Sequence, residues 1–327
     1  MSGNQAGFLA RLSLPSPPES PHLLGLSGGR DSVTLLHLLL GLGYRSLLLC
    51  HLDHGLRKES EEEARFVQAL GEKHSLPVIV AREDTAQEAR RRHCSIETAA
   101  REMRHRFFAR IARERDIPRL FLAHHADDQV ETLLFRLFRG SGAGGLAGMR
   151  DDLSLRIEGV DLRVLRPLLG IWREEIDAYI AEHALEFRDD PSNHDPAHTR
   201  NRLRHQIIPA LEEAFGRNIR RSLWRTGELL RAEDEWMRGQ VGTPPERLSV
   251  PELREMPRAL QRRCIHAWLL QNQVPHAGFD VVERVRGLLE GTTARASLPG
   301  GIHVRRRARQ IFLEKPGQAV PNALSGR

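Results

Sequence analysis

The segment from His22 to Leu40 constrains the fold more than any other part of this sequence. Its apolar residues at Leu23–Leu26 predict a short buried strand, and those from Val33 to Leu40 predict a helix that begins at Ser32. A tight glycine turn joins the two. A strand that turns through glycines into a helix directs several backbone N–H groups, and the positive end of the helix dipole, at one point. This pattern predicts an anion-binding loop.

The residues of the loop indicate that the anion is a phosphate bound together with a metal ion. Gly28 and Gly29 allow a close backbone approach, and Ser27 and Ser32 add hydroxyl donors. The loop contains no lysine, so it is not a Walker A sequence. Asp31 would repel bound phosphates unless Mg²⁺ lay between them, which predicts a metal-bridged nucleotide. In the alternative interpretation, the serines and Asp31 only cap the helix.

Length and charge indicate the general organisation. The chain has 327 residues, which favours two domains, and a formal net charge of +6. With a sequence pI near 9.8, this charge predicts a polyanionic partner. Lysine occurs only at Lys58, Lys73 and Lys315, so nearly all basic residues are arginine, whose fork suits phosphate. A GC-rich genome gives the same bias, so the prediction uses the net charge alone.

Cysteine spacing and hydropathy argue against several classes of protein. Cys50, Cys94 and Cys264 are far apart and form no Cys-x-x-Cys pair, which argues against a disulfide framework, a zinc knuckle or an iron–sulfur cluster. No apolar run approaches the length of a membrane span, and the N-terminus lacks the apolar core of a signal peptide. The sequence therefore predicts a cytoplasmic protein with reduced thiols and no membrane partner.

Alternating strand and helix patterns predict the architecture. Apolar runs at 46–53, 77–81 and 120–123 follow the first strand and are separated by helical patterns. This alternation predicts an α/β fold with a doubly wound, mostly parallel sheet. Beyond residue 216 the pattern becomes mainly helical, with one hairpin near the C-terminus. The predicted parts are a loose leader (1–21), a nucleotide-binding α/β domain (22–215), a smaller, mainly helical domain (216–315) and a disordered tail (316–327).

Polar residues at the end of the second strand are candidates for nucleotide contact. Asp53 lies at the carboxyl end of that strand, about twenty residues after the glycine loop, where open α/β sheets place a residue that contacts the ribose or base. We therefore predict that His51, Asp53 and His54 are candidates for a nucleotide site, with His51 and Asp53 near the bound nucleotide. In the alternative, Asp53 and His54 merely begin the next loop.

Acidic residues follow the fourth strand. Asp127 is placed as the N-cap of a helix, and Asp128 and Glu131 share a face of its first turn. At a carboxyl end of the sheet, this pair is predicted to hold a cation, either a metal or a substrate ammonium. The alternative is that the helix dipole alone favours acidic residues there.

Basic residues and glycines mark three further segments. Arg101 and Arg104 share one side of a predicted helix with Glu97 and can reach back to the glycine loop. A later basic run, able to neutralise phosphates, contains Arg200, Arg204 and His205. Solvated surface faces are the alternative for both. Five glycines within residues 140–148 predict a mobile loop, either a lid over substrate or a plain linker.

Together these motifs resemble bacterial tRNA(Ile)-lysidine synthases, a family of PP-loop ATP pyrophosphatases. The glycine loop alone resembles the pyrophosphate-binding loop of that superfamily. The segments that carry the resemblance are Ser27–Ser32, His51–Arg57, Ala100–Arg104, His124–Glu131, Arg139–Met149, Asp190–Asn193 and Arg200–His205. Their order and spacing over residues 22–210 are specific, whereas the helical segment after 216 resembles the family's substrate-binding subdomain more loosely.

The resemblance implies a two-step reaction on the wobble cytidine of a tRNA(Ile) with a CAU anticodon. ATP adenylates the C2 oxygen of the base and releases pyrophosphate. The side-chain amine of free lysine then attacks C2 and expels AMP. The product, lysidine, changes the identity of the tRNA from methionine to isoleucine. The expected cofactors are ATP and Mg²⁺, and the expected partners are this tRNA and L-lysine, with a homodimer left open.

The resemblance also implies roles for individual residues. The ATP phosphates and Mg²⁺ would be held by Ser27, Gly28, Gly29, Arg30, Asp31 and Ser32. His51 and Asp53 would lie near the adenosine, and Asp128 and Glu131 would hold the cationic lysine. Arg101 and Arg104 would stabilise the phosphate-bearing intermediate. Contacts with tRNA or ordering of a loop would fall to Asp190, Asn193, Arg200, Arg204 and His205.

Two departures from the family and three competing functions bear on this prediction. His105 stands where the family usually has tyrosine, and a further C-terminal domain of longer members is not evident, so the chain resembles the short form. A PP-loop tRNA thiolase of the 2-thiocytidine type would commonly need paired cysteines. An amidotransferase would need an ammonia source, and it explains the basic second domain poorly. A non-enzymatic tRNA-binding protein would not need Asp31, Asp128 and Glu131.

Overall fold

The computed structural model describes residues 7–55, 60–188, 199–291 and 293–314. The chain divides into two compact units. The first contains the described residues up to Arg139 and those from Gly148 to Gly227, and the second contains Gly140–Ala147 and the described residues from Glu228 onward. The division therefore falls at 227/228 rather than at the predicted 215/216. The tail predicted to be disordered, 316–327, lies outside the described residues.

The apolar runs of the first unit form one six-stranded sheet. Its strands are β1 (His22–Gly25), β2 (Leu47–Asp53), β3 (Val78–Arg82), β4 (Arg119–Phe121), β5 (Asp152–Ile157) and β6 (Val160–Leu165). The order is β3-β2-β1-β4-β6-β5, and all neighbours are parallel except β5 and β6. Side chains of the central strands are buried because helices cover both faces of a parallel sheet. The predicted α/β class is confirmed.

Helices of the first unit supply two apolar layers on the sheet. They are α1 (Arg30–Gly41), α2 (Ser60–His74), α3 (Thr85–Arg92), α4 (Ile96–Arg115) and α5 (Ala126–Leu137), then α7 (Arg173–His183), α8 (Thr199–Arg202) and α9 (Ile208–Phe215). One core cluster contains Leu35, Val67 and Ile176, and another contains Phe107 and Ile111. The first lies on the α1, α2 and α7 side, and the second on the α4 side.

Three helix boundaries differ from the predicted ones for local reasons. Helix α1 begins at Arg30 rather than Ser32, because Gly29 is its N-cap. The predicted helix that carries Glu97, Arg101 and Arg104 begins only at Ile96, because His93 adopts a left-handed conformation and Ser95 caps α4. The N-cap of α5 is His125 and not Asp127, because the Asp128 carboxylate accepts the backbone N–H of His125 in a capping box.

The described part of the predicted loose leader packs against the first unit. Phe8 belongs to the core cluster and stacks on Tyr179, with 5.4 Å between ring centroids. Ser16 is buried, its hydroxyl lies 2.8 Å from His22 Nε2, and its carbonyl accepts the Tyr44 hydroxyl. Residues 7–21 are therefore ordered by apolar burial and side-chain hydrogen bonds, which corrects the prediction for this stretch.

The second unit combines helices with an antiparallel sheet. Its helices are α6 (Ala143–Leu146), the C-terminal part of α10 (Ile219–Val241), α11 (Val250–Glu255), α12 (Arg258–Gln271) and α13 (Phe279–Gly287). Its strands are β7 (Leu248–Ser249), β8 (Arg295–Ser297), β9 (His303–Arg307) and β10 (Gln310–Glu314), in the order β7-β10-β9-β8. The sequence predicts only a hairpin here, because strands of two or three residues show no period.

The glycine-rich segment is held in place within the second unit. A Cβ at Gly144 would lie 2.8 Å from Oδ1 of Asp234, so only glycine fits against this buried carboxylate. Asp234 pairs with Arg263 at 2.5 Å and with Arg238 at 2.8 Å. Residues 143–146 form a helical turn rather than the freely mobile loop that the glycine content predicts.

No helix in the described ranges combines the length and the apolar character needed to cross a membrane.

Candidate functional site

The chain connectivity creates a crevice between β1 and β4. From β1 the chain proceeds outward to β2 and β3, and it then returns to place β4 on the other side of β1. Ligands of open α/β sheets bind at such a reversal point, outside the carboxyl ends of the strands. The glycine loop follows β1, and the sequence His124–Asp128 follows β4. The two predicted motifs therefore meet at one edge of the sheet.

Serine hydroxyl groups organise the glycine loop from within. Ser27 Oγ accepts the N–H of Gly29 at 3.2 Å and lies 3.2 Å from Ser32 Oγ, which donates to the Gly29 carbonyl at 2.9 Å. Gly28 has a φ of +85°, a conformation that glycine adopts without strain. Since the loop leads directly into α1, its backbone N–H groups and the helix dipole face the crevice. The side chain of Arg30 pairs instead with Asp177 at 2.8 Å.

Asp31 and His125 bring the two sides of the crevice together. Oδ2 of Asp31 lies 3.7 Å from Nε2 of the buried His125. Oδ1 of Asp31 is buried and has no hydrogen-bond partner in the described part of the chain. Burial, together with the charge of Asp128, raises the pKa of Asp31. An unpartnered carboxylate oxygen beside a phosphate-binding loop is suited to a cation.

His125 is a buried imidazolium surrounded by carboxylates. Its ring nitrogens lie 3.6 Å from Asp127 and 3.6 Å from Asp128, in addition to the contact with Asp31. Burial acts to lower its pKa, but the three carboxylates outweigh burial and raise the pKa of His125 to about 9. The sequence places His125 in a motif that resembles the family's, but it indicates no role for this residue. Only its position between α5 and the glycine loop reveals one.

Asp127 has a structural role that its neighbour Asp128 does not share. It accepts the backbone N–H of Arg173 at 3.0 Å and pairs with Arg220 at 3.2 Å. Although burial opposes ionisation, the neighbouring His125 and the hydrogen bond from the Arg173 backbone N–H hold the pKa of Asp127 below its usual range. Asp127 thus connects α5 to the start of α7 and to α10, while Asp128 faces the crevice.

Asp128 and Glu131 are paired with Arg204, whereas the cation predicted from their shared helical face is a metal or a substrate ammonium. Nε of Arg204 lies 2.6 Å from Glu131, and Nη2 lies 3.1 Å from Asp128. Arg204 belongs to a π-helical turn, Leu203–Ile207, between α8 and α9. Leu203 of this turn is buried in a cluster with Val130 of α5, which fixes the turn against the acidic face. The sequence assigns Arg204 to tRNA contacts and does not reveal this pairing.

The environment of Glu131 places its ionisation near neutral pH. Burial, reinforced by the charge of Asp128, raises the pKa of Glu131 to about 7, although Arg204 opposes this. The pKa of Asp128 is lowered despite burial, because His125, His124 and Arg204 lie close to it. The same carboxylates raise the pKa of Arg204 against the effect of burial.

His51 and Asp53 lie at the end of β2, next to β1. Nδ1 of His51 is 2.9 Å from the Leu26 carbonyl, and its buried Nε2 has no hydrogen-bond partner in the described ranges. Burial lowers the pKa of His51, so the ring is neutral at pH 7. Asp53 accepts the N–H of Gly55 at 2.7 Å and lies 3.4 Å from Arg82. Asp53 therefore orders the turn at Gly55, and Nε2 of His51 has no partner in the described ranges.

Five arginines of the first unit lie close enough to one another to affect each other's pKa. They form a second cluster near the acidic one. The cluster consists of Arg101, Arg104, Arg136, Arg166 and Arg200. Burial and the neighbouring arginines lower the pKa of Arg104 to about 10, and its buried Nε has no hydrogen-bond partner in the part of the chain described. Burial and Arg166, Arg104 and Arg200 also lower the pKa of His124 to about 3.

This concentration of guanidinium groups is suited to a polyanion. Arg200 pairs with Glu97 at 3.3 Å, which brings α8 to the N-terminus of α4. The sequence does not indicate a role for Arg136 or Arg166, because arginines that lie far apart in the chain form no local pattern. Of the other predicted tRNA residues, His205 is exposed on the π-helical turn, while Asp190 and Asn193 lie outside the described residues.

The carboxylates of the crevice are suited to Mg²⁺ that is bound together with substrate phosphates, rather than to a metal ion held by protein ligands alone. In the described part of the chain, no group of three or more His, Cys, Asp or Glu side chains is arranged to hold a metal ion. Mg²⁺ is usually bound by one or two carboxylates together with substrate phosphates. Asp31, with its unpartnered oxygen beside the phosphate-binding loop, supplies such a carboxylate.

Comparison with known proteins identifies the family. A PP-loop domain matches residues 8–211, and the TilS substrate binding domain matches residues 248–312. The tRNA(Ile)-lysidine synthase of Thermosynechococcus vestitus is 36% identical over 319 residues, which cover 93% of this chain and 89% of that protein. The chain belongs to the tRNA(Ile)-lysidine synthase family.

Members of this lysidine synthase family differ in length. The enzyme of Thermus thermophilus is 36% identical over 312 residues, but the match spans 59% of that protein. Among solved structures, the U34-tRNA thiolase of Methanococcus maripaludis matches with a TM-score of 0.54 at 16% identity, over 70% of this chain and 78% of that one. This last similarity concerns the fold alone.

The ion pair between Arg204 and Glu131 is expected to stabilise the folded state of this lysidine synthase. Replacing Arg204 with Met leaves two buried carboxylates without their cation, which should lower the free energy of unfolding by about 2–4 kcal/mol at pH 8. Without Arg204 the pKa of Glu131 rises further above its present value of about 7. The folded state then retains a proton that the unfolded state has lost, so stability falls as pH rises.

Urea unfolding of the wild type and Arg204→Met at pH 6 and pH 8 measures this effect. The loss should be greater at pH 8, and Glu131→Gln in the same background should remove most of the difference. Arg200→Met, which breaks a more exposed pair with Glu97, is the control and should cost less than about 1 kcal/mol. Equal losses for Arg204→Met at both pH values would contradict the assignment.

Proposed function

We propose that this protein is an ATP-dependent ligase that joins free lysine to C2 of the wobble cytidine of tRNA(Ile) with a CAU anticodon. The reaction proceeds through an adenylated cytidine and releases pyrophosphate and AMP. The observation that carries the proposal is the carboxylate pair of Asp128 and Glu131, which holds a cation beside the phosphate-binding loop. Membership of the lysidine synthase family supports the same reaction.

In the first step, the glycine loop and the arginine cluster hold phosphate groups. The backbone N–H groups of Gly28 and Gly29 and the hydroxyl groups of Ser27 and Ser32 bind the phosphates of ATP. His51 presents its unpartnered Nε2 toward the adenosine. The C2 oxygen of cytidine attacks the α-phosphorus, and pyrophosphate leaves. Positive charge at Arg101 and Arg104 stabilises the charge on the transferring group.

Asp31 is the carboxylate that would hold Mg²⁺ against the phosphates. When bound, the metal ion neutralises phosphate charge and orients the leaving pyrophosphate. His125 keeps Asp31 near the loop by an interaction across the crevice, 3.7 Å from Oδ2. Oδ1 of Asp31 then remains available for the cation.

In the second step, Asp128 and Glu131 bind the cationic lysine. Lysine takes over carboxylate oxygens that Arg204 contacts in the absence of substrate. The neutral side-chain amine attacks C2, the bond from C2 to the adenylated oxygen breaks, and AMP leaves. Forming the neutral amine from the bound ammonium releases one proton, which Glu131, with a pKa of about 7, is matched to accept. The second proton, which the nitrogen loses when it bonds to C2, passes to solvent.

A thiolase function is not favoured by the cysteines. Burial raises the pKa of Cys50 to about 12, so this thiol does not form a nucleophilic thiolate. Cys50, Cys94 and Cys264 are all free. A homodimer and a cytoplasmic location stay predictions.

The deciding measurement is AMP release from ATP by the purified protein with a CAU-anticodon tRNA(Ile) transcript. We expect AMP only when both lysine and this tRNA are present, and the wobble cytidine should gain the mass of lysine less water. The elongator tRNA(Met) is the control and should give no product. AMP formation with a sulfur donor, or without tRNA, would overturn the substrate assignment.

Asp31→Asn tests the metal-binding carboxylate. It keeps the size of the side chain but removes the charge that holds Mg²⁺, so AMP formation should fall by at least about a hundredfold. Affinity for tRNA, measured by filter binding, should be unchanged. Asp161→Asn, an exposed substitution in β6, should behave as the wild type. Wild-type turnover in Asp31→Asn would remove Asp31 from the mechanism.

Glu131→Gln tests the lysine pocket. Loss of one charged partner should raise the KM for lysine about tenfold or more while leaving the KM for ATP nearly unchanged. In the wild type, the KM for lysine should rise as pH falls below about 7, because Glu131 gains a proton. This pH dependence should disappear in Glu131→Gln and persist in the surface control Glu114→Gln. An unchanged KM for lysine would exclude Glu131 from the pocket.

A further inference from the structure

A cavity of about 820 Å³ lies on the helical face of the first unit, outside the crevice used by the proposed reaction. It is bounded by α1, by α2 and by the segment that follows α7. Residues that define its shape are His37, Phe66, Leu70, Lys73, His183 and Arg188. None of them has a part in ATP, lysine or tRNA binding as proposed above.

One end of the cavity is basic. His37 and His183 lie with their ring centroids 5.0 Å apart, and Nδ1 of His37 is 2.8 Å from the Tyr179 hydroxyl. Burial and the nearby His183, His74 and Lys73 lower the pKa of His37. Over the ranges that the structure describes, no carboxylate lies within ion-pair distance of Lys73 or of these three imidazoles. This end therefore offers N–H donors and a positive charge. Two carboxylates also line the cavity, Glu186 and Glu62, the latter one turn of α2 before Phe66.

The middle of the cavity is apolar. Val33 and Leu36 of α1 and Leu70 of α2 are buried and form its floor, and Leu185 adds to the wall. Phe66 lies toward the other end, two helical turns from Lys73. Seven residues of α-helix separate the two, which corresponds to about 10 Å. A ligand that spans the cavity thus combines an anionic head with an apolar body of this length.

The wall of the cavity is in direct contact with the glycine loop. The guanidinium of Arg188 lies over the Phe66 ring at 5.0 Å, and the backbone N–H of Arg188 donates to the Gly28 carbonyl at 2.9 Å. A Cβ at Gly28 would lie 3.2 Å from Cδ1 of Phe66. A molecule that moves Phe66 or Arg188 therefore acts on the loop that binds phosphate.

We propose that this cavity binds a small amphipathic anion, a carboxylate, sulfonate or phosphate on a flat apolar body, and that its occupancy is coupled to ATP binding at the glycine loop. The anion contacts Lys73 and the imidazoles of His37, His74 and His183. The apolar body lies along Leu36, Leu70 and Phe66. Coupling is reciprocal, so ATP changes the affinity of the anion by the same factor as the anion changes that of ATP.

Binding of 8-anilinonaphthalene-1-sulfonate to the full-length protein, followed by its fluorescence and by calorimetry, tests the site. We expect one molecule per chain. Lys73→Ala should weaken binding about fivefold, as expected for loss of one exposed charge contact. Ala69→Trp, which fills the cavity from an exposed position of α2, should abolish it. The surface control Arg113→Ala should bind as the wild type. N-phenyl-1-naphthylamine, which lacks the sulfonate, should bind more weakly.

Titration of the probe in the presence of ATP separates a distinct site from the ATP site. If the sites are distinct and coupled, the apparent Kd of the probe shifts and reaches a plateau as ATP increases. An apparent Kd that rises without limit would place the probe in the ATP site and overturn the proposal, and an unchanged Kd would overturn the coupling. Wild-type binding by both Lys73→Ala and Ala69→Trp would also overturn it. These outcomes concern binding alone and do not depend on ligase activity.

Discussion

The arrangement of the crevice between β1 and β4 depends on the contacts that the buried imidazolium of His125 makes with three carboxylates. Asp31, Asp127 and Asp128 approach it to within 3.6–3.7 Å. Three carboxylates this close would repel one another and take up protons if no cation lay among them. One ring, held at the N-terminus of α5, thus favours the ionised form of each carboxylate while linking the glycine loop after β1 to the helix after β4.

Local geometry prepares each member of this cluster for a different task. The capping box turns Asp128 toward the backbone of His125, and a backbone bond from Arg173 holds Asp127. Asp31 belongs to the first turn of α1 and keeps an unpartnered oxygen. Because their hydrogen bonds differ, Asp127 is a structural tie, while Asp128 and Asp31 are, in the proposed reaction, the substrate carboxylate and the metal-binding carboxylate. Glu131, one turn later, adds a group that ionises near pH 7.

The sequence predicted the parts of this site that depend on short-range patterns. The glycine turn, the strand ends at His51 and Asp53, and the shared face of Asp128 and Glu131 all follow from spacings of a few residues. The partner of that face did not, because Arg204 is 73 residues from Glu131 in the chain and reaches it through a π-helical turn. The prediction of Asp127 as the N-cap of α5 was wrong because the Asp128 carboxylate accepts the N–H of His125, while Asp127 accepts the backbone N–H of Arg173 in another helix.

Arg204 keeps Asp128 and Glu131 paired with a cation when no substrate is bound. Asp128 and Glu131 are one helical turn apart and largely screened from water, so without a cation burial would favour the protonated form of Glu131. The guanidinium keeps them paired, and a substrate that displaces it must itself be a cation of sufficient reach. In the proposed reaction this requirement favours lysine over neutral amines, since a neutral molecule would leave both the carboxylates and Arg204 without partners. Such a loss costs more than the contact that a neutral amine could supply.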